Sequence, residues 1–530
     1  MDDNIRKDFD RDDAERQESL ERARLCASLT KPWVLPPSGY SPNDKLPEPF
    51  SSLPARACSN LEGKLLTALF PAAQPFFKLR PAGRFRFDPN VEPEKLSEFE
   101  NILHLQELMI LAKLDRTDKQ SGSNSRRAGF RSRMRLAISQ LLITGDVLIQ
   151  LTDDFNIKVF RRDNYVTKRD SAGDILYHII REQIDPLTLT KSQLEDAGMD
   201  FEALQLESVD RRMEDLYTKV QWNPLSKVWV ISQEINDHVV YEAQEPITPF
   251  MSTPYSLAPA ANYGEGIIGE NLGDVRSHNE LTERILDFGA IASKQIFCLD
   301  YNSQVRPSDL ALPTGSVIQA RVQGGAVTDV GMLRADKLTD FNVVATTRES
   351  IRKDLTTVML MEGESMPTYE RATRLHVQRV AQEIEGALGG VYAPIADSMQ
   401  ISLIERMRHV MTLSGDLPPL PEETVEVQAV TGLMALSNET EKMKLVELMQ
   451  LIAQLGPEVG NRIDKGVLLD VLVRQTGIYE PGLVKTEEQV NQEMQAAQQQ
   501  AMEQQAASTA MDAVGRGVAS GNINTGEMNV

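Results

Sequence analysis

The chain has 530 residues and carries 56 Lys+Arg against 77 Asp+Glu, a formal net charge of −21. That balance excludes a protein whose main task is to grip nucleic acid, because phosphate binding needs a cationic surface. A content of 41% hydrophobic and 25% charged residues excludes a wholly disordered chain, and at ~150 residues per domain the length suffices for roughly three or four domains.

Cys26, Cys58 and Cys298 form no C-x-x-C pair, and the scattered histidines form no H-E-x-x-H. A disulfide framework, a metal site and a cofactor are therefore not expected, and a reducing compartment fits. No apolar run approaches the ~18 residues that span a bilayer. Met1–Glu21 alternates acids and bases without a signal-peptide core, so a cytosolic protein or part of a soluble particle is expected, with no membrane partner.

In chain order, Asp13 to Leu29 reads as a charged helix, followed by a Pro-rich connector from Pro32 to Pro54. Leu61 to Phe70 is a short apolar helix stopped by Pro71, and Pro93 to Leu114 a longer amphipathic one. Arg126, Arg127, Arg131, Arg133 and Arg135 form a dense basic cluster, open to phosphate binding, to an acidic neighbour or to plain solvation. It leads into an apolar helix, Leu136 to Thr144. From Asp146 the period changes to two, predicting an antiparallel meander over about 146–245: Val147–Leu151, Ile157–Phe160, Tyr165–Arg169, Ile175–Arg181, Leu216–Trp222, Lys227–Ile235 and Val239–Tyr241. A helical insertion interrupts it near Ser192 to Met213, with a capping-box pattern at Ser192 and Glu195.

Leu281, Ile285, Phe288, Ala292 and Ile296 make one helical stripe. Residues 298–336 are punctuated by Gly and Pro and are β-prone, and Lys337 to Met361 returns to helix. A polar loop follows, then a long helix in which Gly389, Gly390 and Pro394 predict a kink, since proline cannot donate to the carbonyl four residues back. Residues 424–477 read as helical, and from about 487 the chain turns Gln/Ala-rich, then Gly/Ser-rich, and is expected to be at least partly disordered.

Gly264-Glu265-Gly266-Ile267-Ile268-Gly269 matches G-x-G-x-x-G in letters. A dinucleotide site also needs a buried strand before it, and Ala258 to Tyr263 is not one. A nucleotide-binding enzyme using Gly264–Gly269 is kept as the alternative reading. No P-loop and no G-x-S-x-G occurs. The residues alone describe a large, helix-rich α+β chain with the profile of a structural or assembly protein, not an enzyme.

Four motifs then stand in register. They are Lys64-Leu65-Leu66-Thr67-Ala68-Leu69-Phe70-Pro71, Tyr165-Val166-Thr167-Lys168-Arg169-Asp170, Tyr263-Gly264-Glu265-Gly266 with Leu272-Gly273-Asp274-Val275-Arg276-Ser277, and Glu383-Ile384-Glu385-Gly386-Ala387-Leu388-Gly389-Gly390-Val391-Tyr392. Together they resemble the portal (head-to-tail connector) proteins of short-tailed, podovirus-type bacteriophages, over about 15–490; Gly266 replaces a Ser of that pattern.

The resemblance implies a ring of about twelve copies at one capsid vertex, meeting head to tail. It implies a predominantly helical α+β portal architecture. An N-terminal arm and wing would span 1–280, a stem helix 281–297, a clip 298–336, and a returning stem helix 337–361. A tunnel loop would span 362–369, a kinked wing helix 370–420, a helical crown 421–486 and a tail 487–530. Glu362, Gly363, Glu364, Ser365, Met366 and Pro367 would face DNA. Arg348, Arg352 and Lys353 are the cations offered to the lumen, and Arg306, Asp309 and Arg321 the clip contacts. The implied partners are further copies of the chain, double-stranded DNA in transit, a terminase motor, a tail adaptor, and the major capsid and scaffolding proteins. The implied place is the virion, after assembly in the host cytoplasm.

Overall fold

The computed structural model describes residues 4–71, 75–83, 93–119, 129–206, 213–292, 386, 392–420 and 424–430, and 297–361 except 302, 304, 309–315, 318, 325, 329 and 333–337. Two helices open it, α1 (Ile5–Glu15) and α2 (Gln17–Ser28). The first starts earlier than the charge pattern predicts, because Ile5 and Phe9, one turn apart, bury against the sheet residues Val166, Ile179 and Tyr217. The Asn4 side chain caps it by accepting from the Lys7 amide. The break at Arg16 is pinned: its buried guanidinium donates to the carbonyls of Arg162, Tyr165 and Asp163 and pairs with Asp13 at 2.6 Å.

Helix α3 (Leu53–Leu69) begins before the predicted Leu61, with Pro54 in its first turn. From Leu61 to Leu69 every side chain is buried, so this helix is enclosed on all sides. Its buried Glu62 and Lys64 are both partnered: Lys31 Nζ lies 2.6 Å from Glu62, and Lys64 Nζ 2.9 Å from the Leu360 carbonyl. Phe70, at its end, packs edge-to-face on Phe76 and Phe130. Strand β1 (Phe77–Pro81), α4 (Pro93–Lys119) and α5 (Phe130–Thr144) follow.

The strands between Asp146 and Pro254 fall into two antiparallel sheets where the sequence suggested one meander. The five-stranded sheet is a true meander of β4 (Tyr165–Arg169), β5 (Ile175–Ile184), β6 (Glu214–Asn223), β7 (Val228–Ile235) and β8 (His238–Glu245). The other sheet sets β2 (Asp146–Leu151) between β3 (Ile157–Phe160) and β9 (Phe250–Pro254). Strand β2 is buried almost throughout and needs a neighbour on each edge, and the second comes from a hundred residues downstream. The insertion between β5 and β6 contains two short helices, 191–196 and 201–206. Its capping box is Thr190 with Gln193 rather than Ser192 with Glu195.

A four-residue helix, Ile267–Glu270, leads into a long helix A, Leu272–Ala292, which begins before the predicted Leu281. Helix B, Leu338–Val358, follows a region of short strands. The helix predicted around Pro394 is interrupted: Tyr392–Ala396 is α-helical, Asp397–Ile401 forms a π turn, and Ser402–Leu413 is α-helical again. The irregularity at Pro394 is thus a widened turn just after it; Gly389 and Gly390 lie outside the described residues. Residues 425–429 correct the helical reading of 424–477. They form strand β10, antiparallel to β1, with Phe77 opposite Ala429 and Pro81 opposite Val425. Val425, Val427 and Ala429 alternate with Glu426 and Gln428, a period of two in a stretch too short to outweigh its helical surroundings. The main core joins α3, α5, β2 and the 402–413 helix through Leu61, Leu65, Leu69, Ile138, Leu141 and Ile404.

Candidate functional site

Helices A and B run antiparallel. Phe288, near the end of A, stacks on Phe341, near the start of B, with ring centroids 4.8 Å apart. At the opposite end His278 of A lies close enough to Arg348 and Arg352 of B to feel their charge; burial first, then these cations, push its pKa down. The roots of both helices enter the main core through Val275, Ile351 and Leu355. Their distal halves carry exposed Leu286 and Val343.

Between the helices hang two small antiparallel pairs, Phe297–Leu299 with Val330–Met332, and Val322–Gln323 with Ala326–Val327. The predicted clip contacts Arg306 and Arg321 are both exposed here, and Asp309 lies outside the described residues. The Arg321 carbonyl accepts from the Thr328 amide at 3.0 Å, extending the hairpin ladder one step beyond the Val322–Val327 pair.

The cations of this helix pair are largely answered by acids one turn away. Arg276 pairs with Glu280 at 2.9 Å, Arg284 with Asp287 at 3.8 Å, and Arg352 with Glu349 at 2.6 Å. The hydrogen bond from Arg352 holds the Glu349 carboxyl below its ordinary range. Arg348 is half-buried beside His278, and Lys353 is exposed. The loop Glu362, Gly363, Glu364, Ser365, Met366 and Pro367 lies outside the described residues.

The glycine motif has a packing role, and the nucleotide-site reading is not supported. Helix α5 stops at Gly145, whose φ is +83°. A Cβ on Gly145 would lie 2.3 Å from the Gly264 carbonyl oxygen, one on Gly264 2.5 Å from the Gly145 oxygen, and one on Gly266 2.5 Å from the Leu142 oxygen. The two backbones are therefore in contact where a pyrophosphate would have to sit. The strand before the motif, β9, is antiparallel, and the helix after it is four residues long.

The residues around this motif form a polar cluster. Asp146 is fully buried; it accepts from Tyr165 Oη at 3.1 Å and the Gly264 amide at 3.4 Å. Burial pushes its carboxyl up, and Arg169 and Arg162 oppose that rise. Asn262, which the sequence does not single out, and Tyr263, which it gives only as part of a motif, complete the edge of the five-stranded sheet. Tyr263 Oη accepts from the Thr167 amide, and Asn262 Oδ1 from the Arg169 amide, both at 2.9 Å. They satisfy outward amides of β4 and blunt it as a pairing edge. An Asn-Tyr ahead of a Gly turn was the available signal. The Arg162 guanidinium covers the Tyr263 ring at 4.9 Å. Arg22 of α2 clips the loop from outside, bonding Glu265 at 2.6 Å and the Gly269 carbonyl at 3.1 Å.

Two arginines of the basic cluster, in the first turns of α5, have structural partners. Arg131 donates to the Phe70 carbonyl, and Arg135 lies 3.8 Å from the Glu62 carboxylate. Arg126 and Arg127 lie outside the described residues. Among the described residues no helix is long and apolar enough to cross a membrane.

Residues 2–483 match the family model described as "Bacteriophage head to tail connecting protein". The chain is 27% identical over 498 residues to the "Portal protein" of Enterobacteria phage T3, covering 92% of this chain and 89% of that one. It is 27% identical over 515 residues to the "Portal protein" of Escherichia phage T7, covering 94% and 91%. A chain of a solved structure titled "Virion of native gene transfer agent (GTA) particle" aligns at TM-score 0.35 and 11% identity, covering 79% and 89%, a likeness too distant to inform the fold.

Proposed function

Because the chain belongs to the bacteriophage head to tail connecting protein family, we propose that its helix pair works as the wall of a DNA conduit that lets the duplex slide. The chain is a head-to-tail connector of the virion. In our reading copies join head to tail into a ring of about twelve at one capsid vertex. The ring takes in DNA during packaging and releases it at ejection. The strand pairs between helices A and B, with Arg306 and Arg321 exposed, are its docking face for the terminase motor and later the tail adaptor. The two-sheet region is its contact with neighbouring copies, capsid shell and scaffold.

The observation that carries this reading is the paired state of the helix cations. DNA binding gains most of its free energy when free Lys and Arg displace counterions from phosphates. Arg276, Arg284 and Arg352 already hold carboxylates, so contact with them releases few ions. Twelve copies at −21 would sum to about −250, a field that repels the backbone along the whole channel. Arg348 and Lys353 then supply weak cationic touches, and Glu362 and Glu364, if the 362–369 segment faces the duplex, extend the repulsive wall.

Two experiments test the reading. Negative-stain imaging of the purified chain is expected to show rings, and a protein that never forms a ring-competent oligomer would sink it. Rings of Glu364→Lys are expected to assemble normally but to package DNA slowly. Packaging at the parent rate would remove that segment from the mechanism.

A further inference from the structure

The exit of helix B has a strained and doubly held end. The Leu360 amide donates to the Thr357 carbonyl at 3.1 Å, and the Met361 amide to the Thr356 carbonyl at 2.8 Å. These crossed bonds are the stop motif that usually places glycine in the left-handed position. Here the position is held by Leu360, with φ +52°. A β-carbon is disfavoured there, so the surroundings must fix it. The side chains of Met359 and Leu360 are buried in the main core.

The carbonyl of Leu360 is also held. It accepts from Asn60 Nδ2 at 2.8 Å and Lys64 Nζ at 2.9 Å, both on α3. Lys64 is buried in the most enclosed stretch of that helix. A buried ammonium is costly without partners, and this one lies at the negative end of helix B, where a cation is favoured. Packing alone does not require a lysine at this point, since Leu65, Leu66 and Leu69 beside it are apolar.

We propose that Asn60 and Lys64 are positioning residues for DNA passage: by clasping the Leu360 carbonyl they lock the end of helix B to α3. The helix pair and the body of the subunit then move as one piece when the duplex pulls on the channel wall. This rests on the conduit reading above.

The clasp is redundant, and that makes it testable. A buried carbonyl that loses one of two donors stays satisfied, whereas losing both leaves it unpaired. The effects of Asn60→Ala and Lys64→Met are therefore expected to be strongly non-additive. In assembled rings, amide exchange at Leu360 and Met361 should rise by about tenfold in the double variant and by less than about threefold in either single one. DNA packaged per particle should fall severalfold in the double variant only. Should the double variant fail to form rings, the same readouts are taken on mixed rings diluted with the parent chain. Unchanged exchange in the double variant would show that no clasp exists. Raised exchange with parent-level packaging would overturn the positioning role and leave the conduit reading intact. Failure of the parent chain itself to form rings would instead strike the conduit reading.

Discussion

Replacing Gly145 by alanine tests whether the glycine motif serves backbone contact. Two costs arise at this residue. Its φ of +83° is unfavourable for any side chain, at roughly 1–2 kcal/mol. The new Cβ would also meet the Gly264 oxygen at 2.3 Å, the Gly266 nitrogen at 2.5 Å and the Glu265 carbonyl carbon at 2.7 Å. All three are backbone atoms, so relief requires the 264–266 segment to shift, at about 1–3 kcal/mol for an overpacked contact. That shift also strains the Tyr255 amide bond to the Gly145 carbonyl, now 2.9 Å. The sum is about 2–5 kcal/mol. Gly173→Ala is the control. Its φ is +97°, but the added Cβ would meet only Leu257 Cδ2, at 3.4 Å, so it bears the dihedral cost alone, roughly 1–2 kcal/mol. Urea unfolding of both variants and the parent gives the comparison. Equal losses would refute the reasoning, because the close approach would then contribute nothing.

Tyr263→Phe removes the acceptor on the Thr167 amide; a loss of about 1–2 kcal/mol is expected, with faster amide exchange at Thr167, and an unchanged exchange rate would count against the edge-blunting role. His178 is buried and bonded to Thr167 Oγ1 at 2.9 Å, and burial, aided by Arg169, lowers its pKa to about 3. Between pH 6.5 and about 3 the unfolded chain binds the proton that the folded chain refuses, so this residue's part of the stability is full above pH 6.5 and is lost as pH falls. At pH 5 the parent should have lost about 2 kcal/mol that His178→Gln does not lose; parallel pH profiles of the urea midpoints would contradict this.

The hairpins were legible because alternation and turn residues are local signals. Ile157–Phe160 and Tyr165–Arg169 fall where the period of two places them. The partition into two sheets was not legible, because the pairing of β2 with β9 is decided by burial of β2 on both faces. Helix α1 lies almost wholly ahead of the charged helix expected over Asp13 to Leu29, and it escapes the sequence because its buried face consists of Ile5, Phe9 and Asp12 among charges. The Thr144-Gly145 stop could be read from sequence, but its contact with Gly264–Gly266 is tertiary. Lys64 and Asn60 gave no signal at all, since a lysine on a helix ordinarily reads as solvated. The charges of helices A and B were visible in composition, while their one-turn pairing emerged only once the helix bounds were known.

The pairing of β1 with β10 has a consequence for biosynthesis. Its two strands lie roughly 350 residues apart in the chain. At about 5–20 residues per second the ribosome delivers β10 roughly 20–70 s after β1 has emerged. Throughout that interval β1 is an orphan strand, open to pairing with other chains. One of its amides has a partner that arrives early: Glu107 of α4 accepts from the Leu79 amide at 2.6 Å. Glu107 thus covers the edge of β1 that faces away from β10, and closure of the β1–β10 pair marks the moment when translation has passed Ala429. A chain truncated before that point would keep the strand partners of the two larger sheets but lack this seam.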